Sequence, residues 1–354
     1  MESKTAELVR AREAAQSGGI RVVVIGGGTG LSTLLKGLKR YVTSPTEFPP
    51  SASDTPVIRD LCAVVTVSDD GGSSGRLRKE LNMLPPGDIR NCIVALSEDE
   101  ALLSRLFRHR FDKGSGLEGH SFGNLFLAAL TSITSDFSEA VRLSSEILLT
   151  RGHIYPSTTS NIELEALMED GTHVRGETKI TASKGRIREL VLVPADVNPM
   201  PQTLEAIANA DLITVGPGSL FTSLIPNLLV HGISEAIVQS SATKVYICNL
   251  MTQANESLGL TAADHIRALN RHARKPLFDY ALLNKIPVSD EMKGNYAAEG
   301  ACQIVNDLEA IEELGVVPVL GDYLEEAGVA RHNTARVSRD LMHLASENPR
   351  QARG

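Results

Sequence analysis

Cysteine is scarce in this 354-residue chain: Cys62, Cys92, Cys248 and Cys302 are widely scattered. None has the spacing of a metal site, and three sit among apolar neighbours, so the four read as reduced core residues. No run of about 18 apolar residues occurs, which excludes a long apolar membrane span. "MESKTAELVRAREAAQSGG" lacks the apolar centre of a signal peptide, and the expected location is cytoplasmic. There is no long basic run either. With 35 Lys and Arg against 43 Asp and Glu, a nucleic-acid partner is disfavoured. An anionic small ligand stays open, because a few backbone N–H groups hold phosphate whatever the net charge. Internal repeats and low-complexity tracts are also missing.

What is present is 42% hydrophobic residues, enough for one large α/β core or two smaller ones. Residues 1–19 read as a flexible N-terminal tail and 346–354 as its counterpart, with one α/β domain over 20–345. The β-branched runs "RVVVIG", "CAVVTV", "ADLITVG", "KVYICNL" and "DYALLN" each precede a loop and a helical pattern. That alternation predicts a parallel sheet with helices on both faces. Between about 154 and 194 the rhythm breaks. Asp170-Gly171 and Lys184-Gly185 there predict hairpins of a small antiparallel β insertion.

"VVVIGGGTGLSTLLKGLK" joins the first strand to an amphipathic helix starting near Leu31. It is no dinucleotide fingerprint: Leu31 stands where the third glycine belongs, and the next acid, Glu47, lies in a proline-rich stretch. It is no Walker A loop either, since no Gly-Lys-Ser/Thr follows. Gly27, Gly28, Thr29 and Gly30 remain as backbone phosphate donors at a helix start. Gly216, Gly218 and Ser219 in "DLITVGPGSLFTSL" repeat the design, and two such loops on one sheet edge suit a diphosphate.

Other candidates follow strand ends. Asp69 and Asp70 in "VTVSDDGGSSG" could bind hydroxyls, hold Mg²⁺ or act as a base, or else cap a turn or helix. In "LPPGDIRNC", Asp88 reads as an N-cap, Arg90 as a fork for phosphate or carboxylate, and Asn91 as a polar reader. His120, Ser121 and Asn124 open an apolar helix; His120 is either a ligand contact or a structural histidine. Asn227 sits in an apolar segment where an unpaired amide is costly. In "VARHNTARVS", Asn333 or Thr334 could cap the last helix, and Arg331 could meet ligand or solvent.

Together, "VVVIGGGTGLSTLLKGLK", "VTVSDDGGSSGRLR", "LPPGDIRNCIVAL", "GHSFGNLFLAALT", "GPGSLFTSLIPNLLV" and "VYICNLMTQANE" resemble the YvcK/CofD-like family, specifically its gluconeogenesis factor branch, over about Arg21 to Leu344. The resemblance implies a Rossmann-like three-layer sandwich, mostly parallel, with a nucleotide site at the strand ends. It implies a cytoplasmic regulator that binds UDP-N-acetylglucosamine or a similar nucleotide-sugar and ties gluconeogenic carbon metabolism to cell-wall precursor supply and cell shape. A partner protein in that metabolism and a homo-oligomer are expected with it. Carried over from the family, Asn227, Tyr296 (with Tyr280 nearby), Arg331 and Thr334 complete the sugar-nucleotide site. Asn333 stands where the family's Arg-x-x-Thr usually has an acid, which bears on recognition and phosphorylation around Thr334. The other branch holds 2-phospho-L-lactate transferases, which move a phospholactyl group from a guanylylated donor to a deazaflavin alcohol. Asp69 and Asp70, with Mg²⁺, would serve such an enzyme. A chain without Trp and with 4% aromatics offers little to grip a flat tricyclic acceptor.

Overall fold

All five of those β-branched runs form strands. The computed structural model describes residues 19–43, 57–98, 102–183 and 185–347. Both expected tails, apart from Gly19, Ser346 and Glu347, lie outside the described residues, as do Glu47 and Lys184. Strand β1 (Ile20–Gly26) leads into α1 (Gly28–Leu38), and β2 (Ile58–Val65) into α2 (Gly72–Leu81) and α3 (Gly87–Leu96). Helices α4 (Leu102–Arg108), α5 (Phe122–Thr134) and α6 (Phe137–Ile147) return the chain to β3 (His153–Pro156). Next come β4 (Glu163–Met168), β5 (His173–Arg175), α7 (Glu177–Ala182), β6 (Ile187–Val193), α8 (Pro201–Asn209) and β7 (Leu212–Val215). A π turn over Leu220–Leu224 runs into α9 (Ile225–Leu228) and α10 (Ile233–Gln239). The rest is β8 (Thr243–Ile247), α11 (Ala262–Ala273), β9 (Tyr280–Asn284), α12 (Asp290–Ala297), α13 (Leu308–Glu312), β10 (Val317–Gly321), β11 (Leu324–Glu326), β12 (Ala330–His332) and α14 (Thr334–Ser346).

The main sheet has seven strands in the order β10-β9-β8-β7-β1-β2-β3, every adjacent pair parallel. Val22, Val23, Val24 and Ile25 are at most 2% exposed, as expected of a central parallel strand covered on both faces. Leu31, Leu34, Leu35 and Leu38 anchor α1 to the sheet, and α1 also packs against α3 and α14. The chain runs outward from β1 through β2 to β3, then crosses back to β7 on the other side of β1. The crevice between β1 and β7 is therefore the switch point where open parallel sheets bind ligands.

Two expectations are corrected. His153–Pro156 pairs with β2, so the antiparallel insert is shorter than 154–194 and forms the sheet β5-β4-β6. The turn after Met168 is a hairpin as expected, but the approach to Gly185 is not: α7 intervenes and β6 pairs with β4, beyond β5. Cys62, Cys92 and Cys248 are buried free thiols, whereas Cys302 is exposed on a loop. No single helix among the described residues is long and apolar enough to cross a membrane.

Candidate functional site

The chain leaves β1 through Gly26 and turns into α1 at once. Gly28 has φ +65°, which starts the helix there and not near Leu31. The N-cap, Gly27, has no side chain to occupy the first-turn amides. A Cβ on Gly30 would overlap the Pro217 carbonyl, so glycine lets the two loops touch. Gly216 has φ +93°, and a Cβ there would lie 2.7 Å from the Ile247 carbonyl oxygen. It shapes the second loop, while Gly218 and Ser219 face the cleft.

Two amides that sequence reasoning passed over fix this second loop. Asn249 accepts from the Gly218 N–H at 3.2 Å and donates back to its carbonyl at 2.8 Å. Gln253 donates to Ser219 Oγ at 2.8 Å. Both follow a buried strand end, the same signal that marked Asp69. The resulting cleft of about 490 Å³ is floored by Gly27–Gly30 and Pro217–Ser219 and walled by Asn249–Gln253, Tyr296, Val329–His332 and Thr334. Tyr296 Oη accepts from the Ala330 N–H at 3.2 Å, tying α12 to the β11–β12 hairpin. Tyr280 is not part of this wall. Asn333 caps α14 through the Arg336 N–H, which leaves Thr334 at the cleft.

Other candidates lie elsewhere. Asn227 is wholly buried and donates to the carbonyls of Gly26 (3.2 Å) and Ser223 (2.8 Å), pinning the end of β1 to the π turn. Arg90, Asn91 and Asn124 belong to a polar network beyond the end of β2: Arg90 donates to Ser121 Oγ and Asn91 Oδ1, and Asn124 to Ser73 Oγ. His120 is 3% exposed with Nδ1 2.9 Å from Ser73 Oγ, a structural histidine whose pKa burial lowers. Asp69 accepts from the Gly71 N–H, and Asp70 accepts from Thr178 N–H and Oγ, capping α7 from another element.

Asp88 departs from expectation. It lies inside the first turn of α3, whose N-cap is Pro86, and its carboxyl oxygen would sit 3.0 Å from a Cβ on Gly27. Burial pushes its pKa up to about 6, opposed by the Gly28 amide. Glu177 and Glu256 are raised to about 7, each chiefly by burial, with Asp69 adding repulsion at Glu177. Neither Glu256 carboxylate oxygen has a well-formed hydrogen bond, and Thr222 offsets only part of the desolvation. Asp88 sits behind the glycine loop, and no carboxylate lines the cleft. Its histidine, His332, is held neutral by burial, with a pKa of about 4, and its Nε2 donates to the Cys248 carbonyl at 3.0 Å. The lining residues therefore offer backbone amides, hydroxyls and one arginine, but no nucleophile paired with a base. Among the described residues no three His, Cys, Asp or Glu groups are placed to hold a metal ion.

The family described as "2-phospho-L-lactate transferase CofD" matches residues 22–324. The "Gluconeogenesis factor" of Halalkalibacterium halodurans is 49% identical over 323 residues, 91% of this chain and 95% of that protein. The Bacillus subtilis protein of the same name is 45% identical over 328 residues, covering 92% and 98%. A crystal structure of a UPF0052 family member from Bacillus halodurans superposes with a TM-score of 0.85 at 48% identity, over 92% of this chain and 99% of that one. The chain belongs to the CofD family, on its gluconeogenesis factor side.

Proposed function

We propose that this protein is a cytoplasmic nucleotide-sugar sensor, binding UDP-N-acetylglucosamine or a close analogue, that couples gluconeogenic growth to cell-wall precursor supply and cell shape. One observation carries the reading: two glycine loops meet at the β1–β7 switch point and floor a cleft with diphosphate donors but no nucleophile–base pair. Gly27–Gly30, Gly218 and Ser219 hold the diphosphate and Arg331 neutralises it. Tyr296 and Thr334 contact base or sugar. Asn227 acts at one remove by fixing the floor, and Asp69, Arg90, Asn91 and Asn124 would meet only a ligand end reaching past the glycine loop. The names of its relatives support the metabolic setting. To act as a sensor, the bound form must differ from the free form in affinity for a partner protein.

Phospholactyl transfer is the alternative, favoured by the family description over residues 22–324. Against it, Tyr296 is the sole Phe or Tyr ring in the wall, and Asp69 and Asp70 are engaged in turn and helix caps. Calorimetry with UDP-N-acetylglucosamine, GDP and NAD separates the readings: the sensor responds to the UDP-sugar, and binding of GDP alone would sink it. Incubation with guanylylated donor and deazaflavin acceptor should give no product. Turnover abolished by Asp69→Asn would establish the enzyme instead.

A further inference from the structure

The charge of this chain is unevenly spread. Between Ile286 and Ala330 there are ten Asp and Glu, one Lys (Lys293) and no Arg, while acids and bases in the remainder balance to within one charge. The whole net charge of −8 thus arises in one segment, and that segment builds one edge of the molecule: α12, α13, β10 and β11. Strand β10 is the open edge of the main sheet and itself carries no charge. Val317 and Leu320 on it, three positions apart and so on opposite faces of the strand, are 54% and 43% exposed. Glu309, Glu312 and Glu313 precede the strand, and Glu325 and Glu326 follow it, all exposed. No ion pair among the described residues engages these five acids.

We infer that this edge is a docking surface for a partner protein presenting basic residues to it. The single sign of the charge flanking this open strand specifies the opposite sign on the partner. A second copy of this chain using the same face would set acid against acid, so self-association here is disfavoured. Pro318 removes one N–H from the exposed ladder, so the partner docks on side chains and does not extend the sheet. The same segment carries Tyr296, Val329 and Ala330 in the cleft wall, so the docking face and the ligand site share structural elements.

The test uses the full-length protein and a fluorescein-labelled peptide of alternating Lys and Leu, followed by anisotropy, with hydrogen–deuterium exchange to locate it. Two triple variants are compared: Glu309→Gln, Glu312→Gln, Glu313→Gln on the face, and Glu80→Gln, Glu118→Gln, Glu205→Gln elsewhere, which remove equal charge. The face variant should bind at least about tenfold more weakly and the control within about twofold of the parent, a difference erased at high salt. Exchange protection should fall on β10, α12 and α13. Equal weakening in both variants, or protection on another face, would overturn the assignment. Unchanged circular dichroism in both variants excludes misfolding as the cause.

Discussion

Asp88 and Glu256 show what local sequence patterns miss. "PGDIR" reads as a capped helix start, yet Asp88 is turned inward behind the glycine loop, because α3 packs against α1. That proximity is a property of the tertiary fold, invisible within a few residues of sequence. Glu256 is 6% exposed with its pKa raised to about 7 from the usual 4.5. An unfolded Glu256 ionises first as pH rises, so the unfolded state gains and stability falls between about pH 4 and pH 7. Glu256→Gln cannot ionise, and it should stabilise the protein by about 2 to 3 kcal/mol at about pH 8 and by little at about pH 4. Thermal melts of both proteins across that range check the sign; a gain that grows toward acid would refute it. By contrast, the capping role of Asn333 was legible, because caps are local.

Elements differ in legibility according to their burial. The five strands that their β-branched runs revealed are the inner strands of the sheet, where both faces are covered and the chain must be continuously apolar. The two that escaped notice, β3 and β10, are its edges, short and half-exposed, with Pro156 and Pro318 within them. The glycine loops were legible as strand-to-helix turns, but their mutual contact depends on β1 and β7 being neighbours, which follows from the crossover. Gly30→Ala should force the loops apart, destabilise the protein by about 2 to 4 kcal/mol and abolish ligand binding. Tyr296→Phe removes the hydrogen bond to Ala330, and a loss of about 1 kcal/mol is expected. Ligand affinity should fall about tenfold with it, which calorimetry of the variant measures.

For the whole molecule, linkage sets the terms. A ligand confined to the folded state stabilises it by about 2.7 kcal/mol at a hundred times its Kd, so UDP-N-acetylglucosamine should raise Tm while NAD leaves it unchanged. If the cleft wall and the acidic edge communicate, the affinity of the basic peptide should change on adding the UDP-sugar, and the affinity of the sugar should change by the same factor on adding peptide. Anisotropy and calorimetry measure the two halves of that equality independently. The central claim is that both glycine loops hold one diphosphate. A crystal structure of the protein soaked with UDP-N-acetylglucosamine tests it most directly: the account predicts the two phosphates against the amides of Thr29, Gly30 and Ser219, with Arg331 turned toward them. Density for the nucleotide away from either loop, or phosphates seated on Arg90 and Asn124, would contradict it.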